Sequence, residues 1–112
     1  MRLGQSFHAY ATMIERDIRR IECARKELFT LNLGGTAIGT TINASDYYLH
    51  HIVPTLAAVT GYPLMQADDL FDATENLDGF VTISNTLKTC AVNLSKMCND
   101  LRLLSSGPRT GF

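Results

Sequence analysis

Apolar residues recur at helical spacing over three stretches of this chain. From about Gln5 to Leu31, Phe7, Tyr10, Ile14, Ile18, Ile21, Leu28 and Leu31 step by three, four or seven positions, and Arg25 is the only interruption of the stripe. The spacing predicts a helix over 5–31, about 40 Å long at ~1.5 Å per residue. Asn32, Gly34 and Gly35 supply its stop. Residues 33–45 read as a loop of Gly, Ser and Thr, and Ser45 or Asp46 can cap a second helix over 46–60 that stops at Gly61. Pro54 is costly in a helix interior, so this element is expected to begin near His51 or to kink before Pro54. After Tyr62-Pro63, Asp68-Asp69 can open one turn, and a long helix is predicted over 73–105. Its Leu77, Phe80, Leu87, Leu94 and Leu101 form one seam, and Ile83, Cys90, Met97 and Leu104 form a second at intervals of seven. No segment reads as a strand, since Gly79-Phe80-Val81-Thr82-Ile83 lies inside the helical period.

The fold class that follows is all-α, a long-helix bundle. Two helices of about 40 and 50 Å cannot bury these seams against each other and one short helix. Self-association, or membership of a larger bundle, is therefore expected from the pattern alone.

Composition removes several alternatives. With 46% hydrophobic and 19% charged residues the chain is not of the disordered class. Its apolar runs are too interrupted to span a bilayer, and no signal peptide is expected at its start. The net charge of −1 leaves no basic excess for nucleic acid. Arg16, Arg19, Arg20, Arg25 and Lys26 alternate with Glu15, Asp17, Glu22 and Glu27, as on a solvated helix face. Cys23, Cys90 and Cys98 form no Cys-x-x-Cys pair and read as reduced core thiols of a cytoplasmic protein.

Candidate chemistry is sparse. The Gly34–Thr40 loop lacks the Gly-Lys-Ser/Thr ending of a P-loop, and a helical turn-around is its simplest role. His50 and His51 are adjacent, so on a helix they diverge by about 100° and do not share a metal; no metal site is expected. Asp68, Asp69 and Asp72 suit helix N-terminal electrostatics. Ser105, Ser106 and Arg109 suit helix capping better than anion binding.

Two strings carry a resemblance. Lys96-Met97-Cys98-Asn99-Asp100-Leu101-Arg102-Leu103-Leu104-Ser105-Ser106-Gly107-Pro108-Arg109 resembles the aspartate ammonia-lyases of the fumarase/aspartase superfamily, as does Leu31-Asn32-Leu33-Gly34-Gly35-Thr36-Ala37-Ile38-Gly39-Thr40-Thr41-Ile42-Asn43. Leu3-Gly4-Gln5, Ala58–Pro63 and Ala67–Thr74 are similar to the same family, and Met1 sits where that family has an internal methionine. Leu103 favours aspartase over fumarase, which more typically has tryptophan there. Thr41 departs from the family, which usually has glycine after the second Gly-Thr.

The resemblance implies a segment of the central helical domain, whose long helices combine from four subunits into one bundle, with each active site drawn from three. The implied reaction converts L-aspartate to fumarate and ammonia without a cofactor. A serine base on a mobile loop takes the proton, and the enzyme stabilises the dianion formed. The serine-loop motif would begin after Phe112 and the Thr-His motif would precede Met1, so no catalytic residue carries over onto this chain. Thr36, Thr40 and Asn43 remain as substrate-site-shaping candidates. A stand-alone self-association module and a fumarase fragment are the alternatives.

Overall fold

A computed structural model describes residues 2–107; the readings made at Met1, Pro108 and Arg109 lie outside the described residues. The architecture is all-α, as the apolar periodicity requires: α1 (Leu3–Arg25), α2 (Asp46–Thr60), α3 (Leu70–Glu75) and α4 (Asp78–Leu104), with the two-residue strands β1 (Thr30–Leu31) and β2 (Met65–Gln66). The chain divides into two units, residues 1–23 with 83–112, and residues 24–82.

In the first unit α1 and α4 are antiparallel. Tyr10 donates to Asp100 at 3.1 Å; seven residues further along α1 and seven back along α4, Asp17 accepts from Asn93 at 2.9 and 3.0 Å. From Ile83 onward the half-buried positions of α4 are Ile83, Thr86, Cys90, Asn93, Met97 and Asp100, a heptad-spaced stripe with polar residues at alternate steps. The other seam faces outward: Leu87 is 54% exposed, Leu94 40% and Leu101 36%. Asp17 corrects the reading of a wholly solvated charged face, because it is 2% exposed, bonded to Asn93 and paired with Arg20 at 3.1 Å. The cysteines are free, as the reading of reduced thiols requires, but they are not core residues: Cys23 and Cys98 are exposed and Cys90 is half-buried.

In the second unit the helix expected over 5–31 has already ended. A 3₁₀ turn (Lys26–Leu28) follows α1, and Thr30 and Leu31 pair in parallel with Met65 and Gln66. Met65 N–H donates to the Phe29 carbonyl and Ala67 N–H to that of Leu31, both at 2.8 Å. Leu28 and Leu31 continue the helical period, but these ladder bonds to a segment more than thirty residues away take the backbone instead.

α2 begins at Asp46, not near His51. The Ser45 hydroxyl accepts from Tyr48 N–H, and Gly61 closes the helix in the left-handed conformation at φ 76°. The helix runs through Pro54, held at both caps and anchored by Val53, which is 1% exposed. The helix expected over 73–105 is two helices. Asp69 caps α3 by accepting from Phe71 and Asp72 N–H, and α3 ends at extended Asn76, whose side chain donates to Asp72 at 2.7 Å. α4 starts two residues later, at Asp78.

Candidate functional site

The loop between β1 and α2 carries all three predicted site residues, and its backbone is unusual. Gly34 and Gly39 have φ of 100° and 95°, and Thr36, Thr41 and Asn43 adopt φ of 61°, 59° and 65°. Left-handed conformation is uncommon for any residue with a Cβ, and for β-branched threonine it is an outlier that costs energy. The Gly35 carbonyl holds the fold by accepting from Gly39 and Thr41 N–H at 3.0 and 3.1 Å. Gly39 cannot carry a side chain, since a Cβ there would lie 2.8 Å from the Leu70 carbonyl and Phe71 N at the start of α3.

The three candidates are placed differently. Thr36 is exposed and lines an open cleft of about 230 Å³ with Asn32, Leu33, Gly34 and Tyr48. Thr40 is half-buried, and its buried hydroxyl has no hydrogen-bond partner among the described residues. Asn43 is exposed and does not line that cleft. Sequence reasoning missed Tyr48, which enters from α2, and Gln66, which reaches the loop from β2. Gln66 carried no signal because its role depends on the β1–β2 register.

Other candidate groups resolve into structural roles. Nδ1 of His50 donates to the Asp46 carbonyl and Nδ1 of His51 to that of Tyr47, each at 2.7 Å, and the His51 ring stacks on Tyr47 at 4.0 Å. Ser105 donates to the Arg102 carbonyl at 3.3 Å, as a capping residue does. A second cavity, of about 290 Å³, has Glu27, Asp72 and Asp78 on its lining. Among the described residues no three His, Cys, Asp or Glu side chains converge on a point suited to a metal ion.

Charge chemistry concentrates in the first unit, where Lys96 and Tyr10 both bond Asp100. The Lys96 ammonium holds the Asp100 carboxyl below the usual carboxylate range, with Tyr10 adding to the effect, and the same bond raises Lys96. Burial, followed by the hydrogen bond to Asp100, raises Tyr10.

The chain belongs to the lyase family, whose model matches residues 1–112. Within that family it is 56% identical to the aspartate ammonia-lyase of Pseudomonas aeruginosa and 50% identical to that of Bacillus subtilis, matched in each case over its whole length. It spans about 24% of each of these relatives. Solved structures agree. A fumarate lyase:delta crystallin from Brucella melitensis, crystallised with cobalt, superposes with a TM-score of 0.92 at 46% identity, covering 97% of this chain and 24% of that one. A class II fumarase from Schistosoma mansoni superposes at 0.90 with 26% identity, covering 99% of this chain and 26% of that one.

Proposed function

We propose that this chain is a central-domain segment of an aspartate ammonia-lyase, which supplies core helices to a homotetramer and forms one wall of the substrate site through Thr36, Thr40 and Asn43. The complete enzyme converts L-aspartate to fumarate and ammonia in the cytoplasm. The segment alone is inactive, because the proton-abstracting serine and the Thr-His pair of the family lie outside it.

The observation that carries the reading is the outward leucine seam of α4. Phe80, Leu87, Leu94 and Leu101 are all exposed, while the inward stripe includes Thr86, Asn93 and Asp100. The chain exposes 8566 Å², against roughly 6,100 Å² for a folded monomer of its mass. Among the described residues the buried apolar set is Ala24 and Val53. Surface of this kind marks an association face. Among the described residues no helix is long and apolar enough to cross a membrane.

The test replaces the matching segment of the Pseudomonas aeruginosa enzyme with this chain. The expected product sediments as a tetramer and releases fumarate from aspartate, and Leu94→Glu reduces it to smaller species. A chimera that assembles but never forms fumarate would refute the aspartase reading. A tetramer indifferent to Leu94→Glu would refute the role of the seam. Stable oligomers of the 112-residue chain alone would instead favour a stand-alone association module.

A further inference from the structure

The β1–α2 loop leaves β1 and returns to α2, and one side chain holds both of its ends. The Gln66 Nε2 group donates to the Leu33 carbonyl at 2.8 Å, where the loop begins, and to the Leu49 carbonyl at 3.3 Å, in the first turn of α2 beyond it. Gln66 is itself fixed, because it pairs with Leu31 in the parallel ladder and its neighbour Ala67 donates to the Leu31 carbonyl. Gly34 makes room for the amide: a Cβ there would stand 2.7 Å from Nε2, so any side chain at this φ of 100° would push the amide aside. Leu33 and Gly34 also line the cleft that bears Thr36. The pin therefore lies directly behind the cleft wall.

We infer that the Gln66 amide is a positioning residue for the substrate site, setting where Thr36 and its neighbours stand without touching substrate. A loop with three non-glycine residues, Thr36, Thr41 and Asn43, in the left-handed region is strained, and strain persists only where the surroundings over-determine the geometry. Internal bonds to the Gly35 carbonyl fold the loop upon itself, but they do not anchor it to the body of the protein. Gln66 supplies that anchor on both flanks with the two hydrogens of one amide. Release of the anchor costs substrate affinity more than turnover, because the proton-transfer groups lie elsewhere in the enzyme.

The inference rests on the proposed substrate-wall role of the loop, so the experiment separates the two. In the active chimera described above, Gln66→Met keeps the length of the side chain and removes both donors. KM for aspartate should rise roughly five- to tenfold, the size of one or two net hydrogen bonds, with kcat within about twofold and the melting temperature nearly unchanged. Hydrogen exchange at the Gly39 and Thr41 amides should quicken. Thr36→Val serves as the control for the wall itself. If Thr36→Val raises KM and Gln66→Met does not, the positioning role is overturned while the wall stands. If Thr36→Val leaves KM unchanged the wall reading falls, and unaltered loop exchange in Gln66→Met would then overturn the anchor as well. Should Gln66→Met fail to assemble, Gly34→Ala displaces the amide from the other side, and an unchanged KM in that variant overturns the inference.

Discussion

Replacing Asn93 by leucine tests the register of α1 against α4. Asp17 is a carboxylate at 2% exposure whose two oxygens lie 2.9 and 3.0 Å from the Asn93 amide nitrogen and share its donated hydrogen, with one further bond from Arg20 at 3.1 Å. Asn93→Leu leaves the carboxylate in place with its cross-helix donor gone and little water to replace it. A hydrogen bond to a charged group is worth about 1.5–3 kcal/mol, and a buried charged acceptor left short of its donor adds a desolvation cost above about 1 kcal/mol. Burial of the leucine returns about 1 kcal/mol at this half-exposed position. The net expectation is a loss of about 2–4 kcal/mol, a large share of the 5–15 kcal/mol that folds a typical domain. The double variant Asp17→Leu/Asn93→Leu removes both partners and should recover most of that loss. Urea unfolding of the chain followed by helical circular dichroism measures all three, at one fixed protein concentration because association adds to apparent stability. A single-variant cost below about 1 kcal/mol, or a double variant that is simply additive, would refute the claim that this pair locks the helices.

Other consequences are as direct. Thr41 holds φ of 59° where the resembled family usually has glycine. Thr41→Gly should relieve about 1–2 kcal/mol of left-handed strain and lose about 0.4–1 kcal/mol to unfolded-chain entropy, so thermal melting should show a small net stabilisation, and a fall in stability would show that the threonine makes a compensating contact. The depressed Asp100 carboxyl contributes stability that is present above the ordinary carboxylate value and lost as pH falls through the lower folded value, in the range below about pH 4. Lys96→Met removes the principal cause, so melting temperature against pH should fall less steeply in that range than for the unaltered chain; identical profiles would refute the assignment.

How much was legible in the sequence depends on the distance over which each feature is decided. The α2 boundaries are local: the Ser45 hydroxyl meets an amide three residues on, and Gly61 is free to turn left-handed. The two apolar seams of α4 were legible too, because they repeat at intervals of seven and one neighbouring helix covers only one of them. The glycine-threonine loop stood out as a string, and its match to a lyase family rests on order along the chain rather than on shape.

Tertiary structure decided the rest. The end of α1 at Arg25 is hidden by Leu28 and Leu31, which keep the helical period, and is set by strand pairing with Met65 and Gln66. The break at Asn76 is hidden by Leu77, which keeps the helical period although Asn76 is extended. Periodicity identified two seams on α4 but not which one turns inward. The polar bonds from Asp17 to Asn93 and from Tyr10 to Asp100 made that choice, leaving the leucines outside. Gln66 acquires its role only when parallel pairing brings it beneath Leu33 and Leu49. Capping and periodicity are written in residues a turn or two apart. Strand register, helix facing and loop anchoring are won by groups from distant segments, whose hydrogen bonds outweigh local preferences of a few tenths of a kcal/mol per residue.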